Sequence, residues 1–191
     1  LIFGFSEDIT KEEFREAIES NTLTEKVNRV KVKKGDLFFI EAGTLHAIGK
    51  GILLAEVQQN SNTTYRVYDY GRLQNGKPRE LHIEKAIEVT SCKKSVVSSD
   101  CISVKDNEHY TETLLSSCDI FVFSRIDVKD EASFTADGDS FVSLVCIDGN
   151  GVLEYGEETV TLYKGDSLFL PAGLGEYRLL GEISVLETKI P

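Results

Sequence analysis

The sequence predicts a mainly β protein: two antiparallel barrel or jelly-roll units, the first incomplete, with a short helical insertion. Three observations carry this. Short apolar runs alternate with Gly, Asn and Asp turn signals through most of the 191 residues. A turn–strand–turn phrase occurs twice, as Lys34-Gly35-Asp36-Leu37-Phe38-Phe39-Ile40-Glu41-Ala42-Gly43 and as Lys164-Gly165-Asp166-Ser167-Leu168-Phe169-Leu170-Pro171-Ala172-Gly173. The copies lie 130 residues apart, Gly35 to Gly165, which is the spacing of a duplicated domain rather than a solenoid period. Helical periodicity is confined to short stretches of the first half.

Residues 1–5 are apolar and read as a strand end. Thr10-Lys11-Glu12-Glu13 is a capping box, and Phe14, Ala17 and Ile18 come next at helical spacing, so residues 11–20 read as an amphipathic helix. Residues 22–28 read as a second helical piece capped by Thr24. From Val30 the period changes to two: Val30 and Val32 alternate with Lys31 and Lys33, the pattern of a half-buried strand. Further strands are expected at 37–40, 45–48, 52–58 and 65–70. Asn75-Gly76 is a tight-turn pair in a polar loop. Ile83, Ala86 and Ile87 mark a short helix over 81–89. The Ser-rich stretch 91–100 reads as a linker, which sets the domains at 1–92 and 100–191.

In the second unit, strands are expected at 121–126, 133–135, 141–147, 151–155, 158–162, 167–170, 176–180 and 184–189. Asp148-Gly149-Asn150-Gly151 is a hairpin signal between two of them.

Composition excludes several functions. Apolar content of 41% and charged content of 28% fit a globular domain. The net charge of −11, from 21 basic and 32 acidic residues, argues against nucleic acid and against an anionic membrane surface, both of which call for Lys and Arg. No apolar run approaches the roughly 18 residues of a spanning helix, and no secretory leader is visible. Cys92, Cys101, Cys118 and Cys146 form no C-x-x-C pair and read as reduced thiols of a cytoplasmic protein. The chain has no Met and opens on Leu-Ile-Phe-Gly-Phe, as a piece of a longer protein would.

The repeated phrase resembles the second signature of the cupin barrel: Gly, five residues, Pro, x, Gly, two residues, His. The first copy keeps the final His, as His46, with Glu41 in place of Pro. The second keeps Pro171 and ends on Glu176. The residues after His46 narrow the likeness. The run His46-Ala47-x-x-x-Gly51-x-x-x-x-Glu56-x-x-x-x-Ser61-Asn62-x-x-x-Arg66 resembles the type I phosphomannose isomerases. Thr64-Tyr65-Arg66-Val67-Tyr68-Asp69-Tyr70-Gly71-Arg72 and Pro78-Arg79-Glu80-Leu81-His82 resemble their short bacterial branch, and the likeness covers nearly all of residues 1–90 and is weaker over 100–191.

This resemblance implies a zinc held in the first barrel by Gln, His, Glu and His, the last matching His46, with the other three upstream of residue 1. It implies an active-site arginine at Arg66, 20 residues past His46. It also implies a degenerate, metal-free second cupin over 100–191. The expected activity is interconversion of mannose 6-phosphate and fructose 6-phosphate through an enediolate, by a cytoplasmic monomer or homodimer. A chain with one zinc ligand is expected to be inactive alone, since catalytic zinc takes about three protein ligands. The proton-transfer base is not identified; Glu56 and water are both candidates.

Plainer readings stand beside these. His46 as a hydrogen-bonded core histidine, Arg66 as an ion-pair partner of Asp69, and Glu56 as a solvated strand residue are the alternatives. Gln58, Gln59 and Asn60 read as a polar loop edge, His82 as a cap or packing residue, and His109 as a surface residue. Asp36 completes its turn. The whole-protein alternatives are a non-catalytic sugar-binding bicupin, a metal oxygenase and a storage module.

Overall fold

The computed structural model describes residues 1–69, 72–97 and 100–191. The chain divides into two compact units, Leu1–Ser99 and Asp100–Pro191.

In the first unit β1 (Ile2–Phe5) is the centre of a small antiparallel sheet, with β2 (Val27–Arg29) on one side and β3 (His46–Ala47) on the other. Helix α1 (Lys11–Glu19) starts at the expected capping box. Thr10 Oγ1 accepts from the Glu13 amide at 3.1 Å, and the Thr10 amide donates to Glu13 Oε2 at 2.7 Å. Two of the four amides that a helix start leaves open are thereby occupied. Its apolar stripe of Phe14, Ala17 and Ile18 is buried with Phe5, Leu23, Val27 and Val67. Phe5 and Phe14 meet edge-to-face at 5.3 Å. Ala86 and Ile87 of α2 (Ile83–Val89) complete this core. The expected strand 1–5 and the helices 11–20 and 81–89 are therefore present within a residue or two.

Other expectations for this unit are corrected. Residues 22–28 give one 3-10 turn, Leu23–Glu25, and then strand β2. Thr22 occupies its cap position rather than Thr24, and makes no side-chain cap bond. Pairing expected from Val30 onward ends there instead, with Val30 N–H donating to Leu1 O at 2.8 Å. Residues 37–40 and 52–58, and the described part of 65–70, form no strand, and Leu53 is 96% exposed. A strand needs a neighbouring backbone to pair with, and apolar alternation alone does not supply one. Tyr70, Gly71, Ser98 and Ser99, which fall in the expected strand, loop and linker, lie outside the described residues. The Asn75-Gly76 turn is present, joining β4 (Leu73–Gln74) to β5 (Lys77–Pro78) with φ of 53° and 76° at its two residues.

The second unit is one curled antiparallel sheet of nine strands. These are β6 (Ser103–Asp106), β7 (Tyr110–Ser117), β8 (Val122–Val128), β9 (Glu131–Ala136), β10 (Val142–Tyr155), β11 (Glu158–Tyr163), β12 (Ser167–Leu170), β13 (Gly175–Leu180) and β14 (Ile183–Lys189). Burial alternates along β8, β13 and β14, as a sheet with one inward face requires. The inward residues include Ile126, Leu144, Leu153, Tyr177, Leu179, Ile183 and Val185, all 1% exposed or less apart from Ile183 at 2%.

Two findings depart from the sequence expectation here. Strands β6 and β7 have no counterpart in it. And Asp148-Gly149-Asn150-Gly151 is no hairpin: the strands expected at 141–147 and 151–155 are one strand, β10, with a register shift between Cys146 and Asp148. The extra residue of the bulge is Ile147, and the glycines beyond it admit a close backbone neighbour instead of a reversal. Gly149 has φ of 71°, and a Cβ there would lie 2.2 Å from the Glu182 carbonyl oxygen.

Candidate active site

His46 stands on β3, opposite Phe3 of β1. Residues opposite one another in an antiparallel pair share a face, and the Phe3 ring packs 5.9 Å from that of Phe38. The strand comes after the Glu41-Ala42-Gly43-Thr44 turn, closed by Thr44 N–H donating to Glu41 O at 3.0 Å, with Gly43 at φ 86°. Only glycine suits that position: a Cβ would meet the Val89 carbonyl oxygen at 2.7 Å. The turn is thus pressed against the end of α2 and carries His46 with it. The imidazole is exposed rather than a core histidine, and its Nδ1 lies 2.9 Å from Thr44 O.

The chain's three histidines differ in what occupies Nδ1, and the difference sorts them. At His46 the partner is a carbonyl, which only accepts, so Nδ1 carries the proton and Nε2 presents a lone pair. This is the arrangement that orients a metal-binding imidazole. At His82 the partner is the Arg66 amide at 3.2 Å, which only donates, so Nδ1 is the acceptor and Nε2 carries the proton. At His109 the partner is the Asp130 carboxylate at 2.9 Å, which pushes the imidazole pKa upward and favours the cation. Among them, His46 offers a ring nitrogen suited to a metal.

Arg66 is half-buried at the mouth of an irregular hairpin running to His82. His82 N–H donates to Arg66 O at 2.7 Å, and His82 Nδ1 accepts from Arg66 N–H. Three residues further in on each side, Asp69 meets Arg79: Arg79 Nε donates to Asp69 Oδ2 at 2.7 Å, and its terminal nitrogen to Oδ1. Arg72 adds a longer contact to Oδ1 at 3.5 Å. Then come the β4–β5 pairs Leu73 with Pro78 and Gln74 with Lys77.

Asp69 is 8% exposed, and its carboxyl is held below the usual range first by the Arg79 hydrogen bond and then by the charges of Arg79, Arg72 and Arg66. The expected alternative of an Arg66–Asp69 ion pair is therefore corrected: Arg79 takes the carboxylate, and the Arg66 guanidinium forms no ion pair with a described residue. The Asp69–Arg79 pair escapes sequence reasoning, because counting outward from Asn75-Gly76 sets Arg79 opposite Arg72, three residues away from Asp69.

Of the remaining candidates, Asp36 completes its turn. It accepts from Lys33 N–H at 2.9 Å and from Lys33 Nζ at 2.7 Å, and these bonds lower its pKa. Glu56, Gln58, Gln59 and Asn60 are exposed. No hydrogen bond or ion pair joins His46 to Arg66. Among the described residues, no three His, Cys, Asp or Glu side chains converge as a metal-holding group.

In the second copy the matching position, Glu176, is exposed on β13, and its neighbour Tyr177 takes the inward place. Tyr177 is 1% exposed, packs 5.7 Å from the Phe134 ring, and donates its hydroxyl to buried Glu187 at 3.3 Å. Burial raises its pKa strongly, so the phenol stays protonated.

Comparison with known proteins bears on both units. Residues 110–189 match the family described as mannose-6-phosphate isomerase, cupin domain. Over 182 residues the chain is 41% identical to the mannose-6-phosphate isomerase ManA of Bacillus subtilis (strain 168), covering 95% of this chain and 57% of that protein. It is 32% identical over 188 residues to a mannose-6-phosphate isomerase of Streptococcus mutans, covering 97% of the chain and 58% of that protein. A crystal structure of the mannose 6-phosphate isomerase from Bacillus subtilis superposes with a TM-score of 0.89 at 34% identity, over 98% of this chain and 59% of that one. The chain thus spans a little over half the length of the curated relatives it matches. These matches show the resemblance to the type I phosphomannose isomerases and the cupin character of the fold.

Proposed function

We propose that the chain works as part of a mannose-6-phosphate isomerase, interconverting mannose 6-phosphate and fructose 6-phosphate. The observation that carries this is the similarity to such enzymes across 95% of the chain. In this reading residues 1–92 belong to the catalytic barrel and 100–191 form a second, metal-free cupin. The proposed partner is a sugar phosphate, and the whole protein is proposed to be a cytoplasmic monomer or homodimer. No helix among the described residues is long and apolar enough to cross a membrane.

Aldose–ketose isomerisation moves a proton between the first two carbons of the open-chain sugar, and the barrier lies in the charge that develops on an enediolate. When bound, a zinc ion supplies Lewis-acid polarisation of the neighbouring oxygens. His46 Nε2 is the donor this chain offers it, held ready by the Nδ1–H bond to Thr44 O. Arg66 cannot serve as base, because a guanidinium has a pKa above about 12. Its guanidinium, with no ion pair to a described residue, instead stabilises the enediolate or clamps the anionic substrate. Charge placed in advance costs no reorganisation as the reaction proceeds. Glu56 and water are the candidate bases. With one donor of its own, the 191-residue chain by itself is proposed to be inactive.

The test is a coupled assay of the full-length protein with mannose 6-phosphate. Zinc-dependent formation of fructose 6-phosphate is expected. Folded, zinc-loaded protein without turnover would overturn the proposal.

A further inference from the structure

We propose that His82 is the positioning residue of Arg66. The sequence places His82 just before α2, where a cap or packing role is the ordinary expectation. It does hold the N-cap position, yet its side chain makes no bond to the helix start. The ring turns back instead. Its Nδ1 accepts from the Arg66 amide at 3.2 Å, while its own amide donates to the Arg66 carbonyl at 2.7 Å. Both polar groups of Arg66's main chain are therefore bound to one residue, so the Cα from which the guanidinium extends is fixed relative to α2.

That helix is anchored in turn by Ala86 and Ile87, 2% and 7% exposed, in the core with Phe5 and Phe14. The ring lies beside that of Tyr65, with centroids 6.2 Å apart, and Lys85 Nζ sits 5.9 Å over the Tyr65 ring. Arg66 lies on a segment without strand pairing, and the His82 clamp gives it the fixed origin that a long, flexible side chain needs to meet a reacting group. A displacement of about 1 Å at such a site costs on the order of 10²-fold in rate.

The role that Arg66 then plays rests on the isomerase reading; the clamp itself does not. The experiment compares His82→Asn, His82→Gln and His82→Ala in the full-length protein, reading turnover of mannose 6-phosphate and amide exchange at Arg66. Asn places an acceptor where Nδ1 stands, Gln places its polar atoms near Nε2, and Ala has neither. His82→Asn is expected to keep turnover within about threefold, while Gln and Ala lower kcat roughly 10- to 100-fold with faster exchange at Arg66. A residue that only packed against Tyr65 would make Gln as good as Asn. Equal behaviour of Asn and Gln overturns the proposal, and so does lost turnover with Arg66 exchange unchanged. Should wild-type protein fail to isomerise, the isomerase reading falls. The order of exchange rates then still decides the clamp: Asn slow with Gln fast supports it, and no difference overturns it.

Discussion

The two copies of the Lys-Gly-Asp phrase fold alike at their turns and differently between them. In both, the carboxylate of the turn Asp accepts from the amide three residues back: Lys33 to Asp36 at 2.9 Å, Tyr163 to Asp166 at 2.8 Å. Gly35 and Gly165 have φ of 91° and 98°, and Gly43 and Gly173 have 86° and 78°. Yet Ser167–Leu170 is a strand paired to β10, whereas residues 37–40 form none. Turn chemistry is local and repeats wherever the residues repeat. Strand structure is set by a partner far away in sequence. The copies also divide at the signature position, where His46 has a ring nitrogen to offer and the second copy has turned Glu176 outward over a buried Tyr177.

The sharpest way to break this comparison is to remove each signature side chain from the full-length protein. His46→Ala is expected to abolish metal content and turnover together, whereas Glu176→Ala leaves both within about twofold, measured by elemental analysis and assay; equal losses would make the two barrels functional equals. Next in size, Tyr177→Ala should cost about 3–5 kcal/mol by denaturant unfolding, because the ring fills the core, while Ala47→Gly, at the matching place in the first copy, should cost about 1 kcal/mol or less.

Arg66→Ala should lower turnover by about 10²-fold with metal retained; metal lost along with activity would move Arg66 from the reaction to the framework. Smaller again, Gly35→Ala and Gly165→Ala should each cost about 1–2 kcal/mol. Both have positive φ, and a Cβ at either meets nothing within 4 Å, so only backbone strain acts. A large inequality between them would show that the turns are not locally governed.

The smallest effect is one of pH. The Asp69 carboxyl is depressed by Arg79 from its ordinary 3.8, so its contribution is complete above that value and is lost as the pH falls through the lower, folded one. Exchange protection in the 66–82 hairpin should therefore hold from neutral pH down to about 4 and fall only below it, and Asp69→Asn should remove the dependence.

Legibility in the sequence divides along the same line. The capping box, the helical stripe at Phe14, Ala17 and Ile18, and the Asn75-Gly76 turn are readable because each depends on neighbours within a few residues. The strands of the second unit are largely readable because alternation there coincides with real partners. The hairpin expected at Asp148–Gly151 fails because a glycine with positive φ serves a close backbone approach as well as it serves a reversal, and the deciding neighbour, Glu182, lies more than thirty residues on. His46 is legible through its motif, but its proton placement is not, since that depends on Thr44 O. The role of His82 is hidden for a related reason: its partner, Arg66, is 16 residues earlier.

One strand carries a consequence for how the second unit comes apart. The first part of β10 pairs with β12 and β14, and its later part with β11 and β13, so a single continuous run of backbone belongs to both halves of the curled sheet. Loss of order along that run is expected to disturb both halves. The unit is expected to open cooperatively, with its slowest-exchanging amides gathered along Val142–Tyr155 and faster exchange in β6, which pairs far from that run.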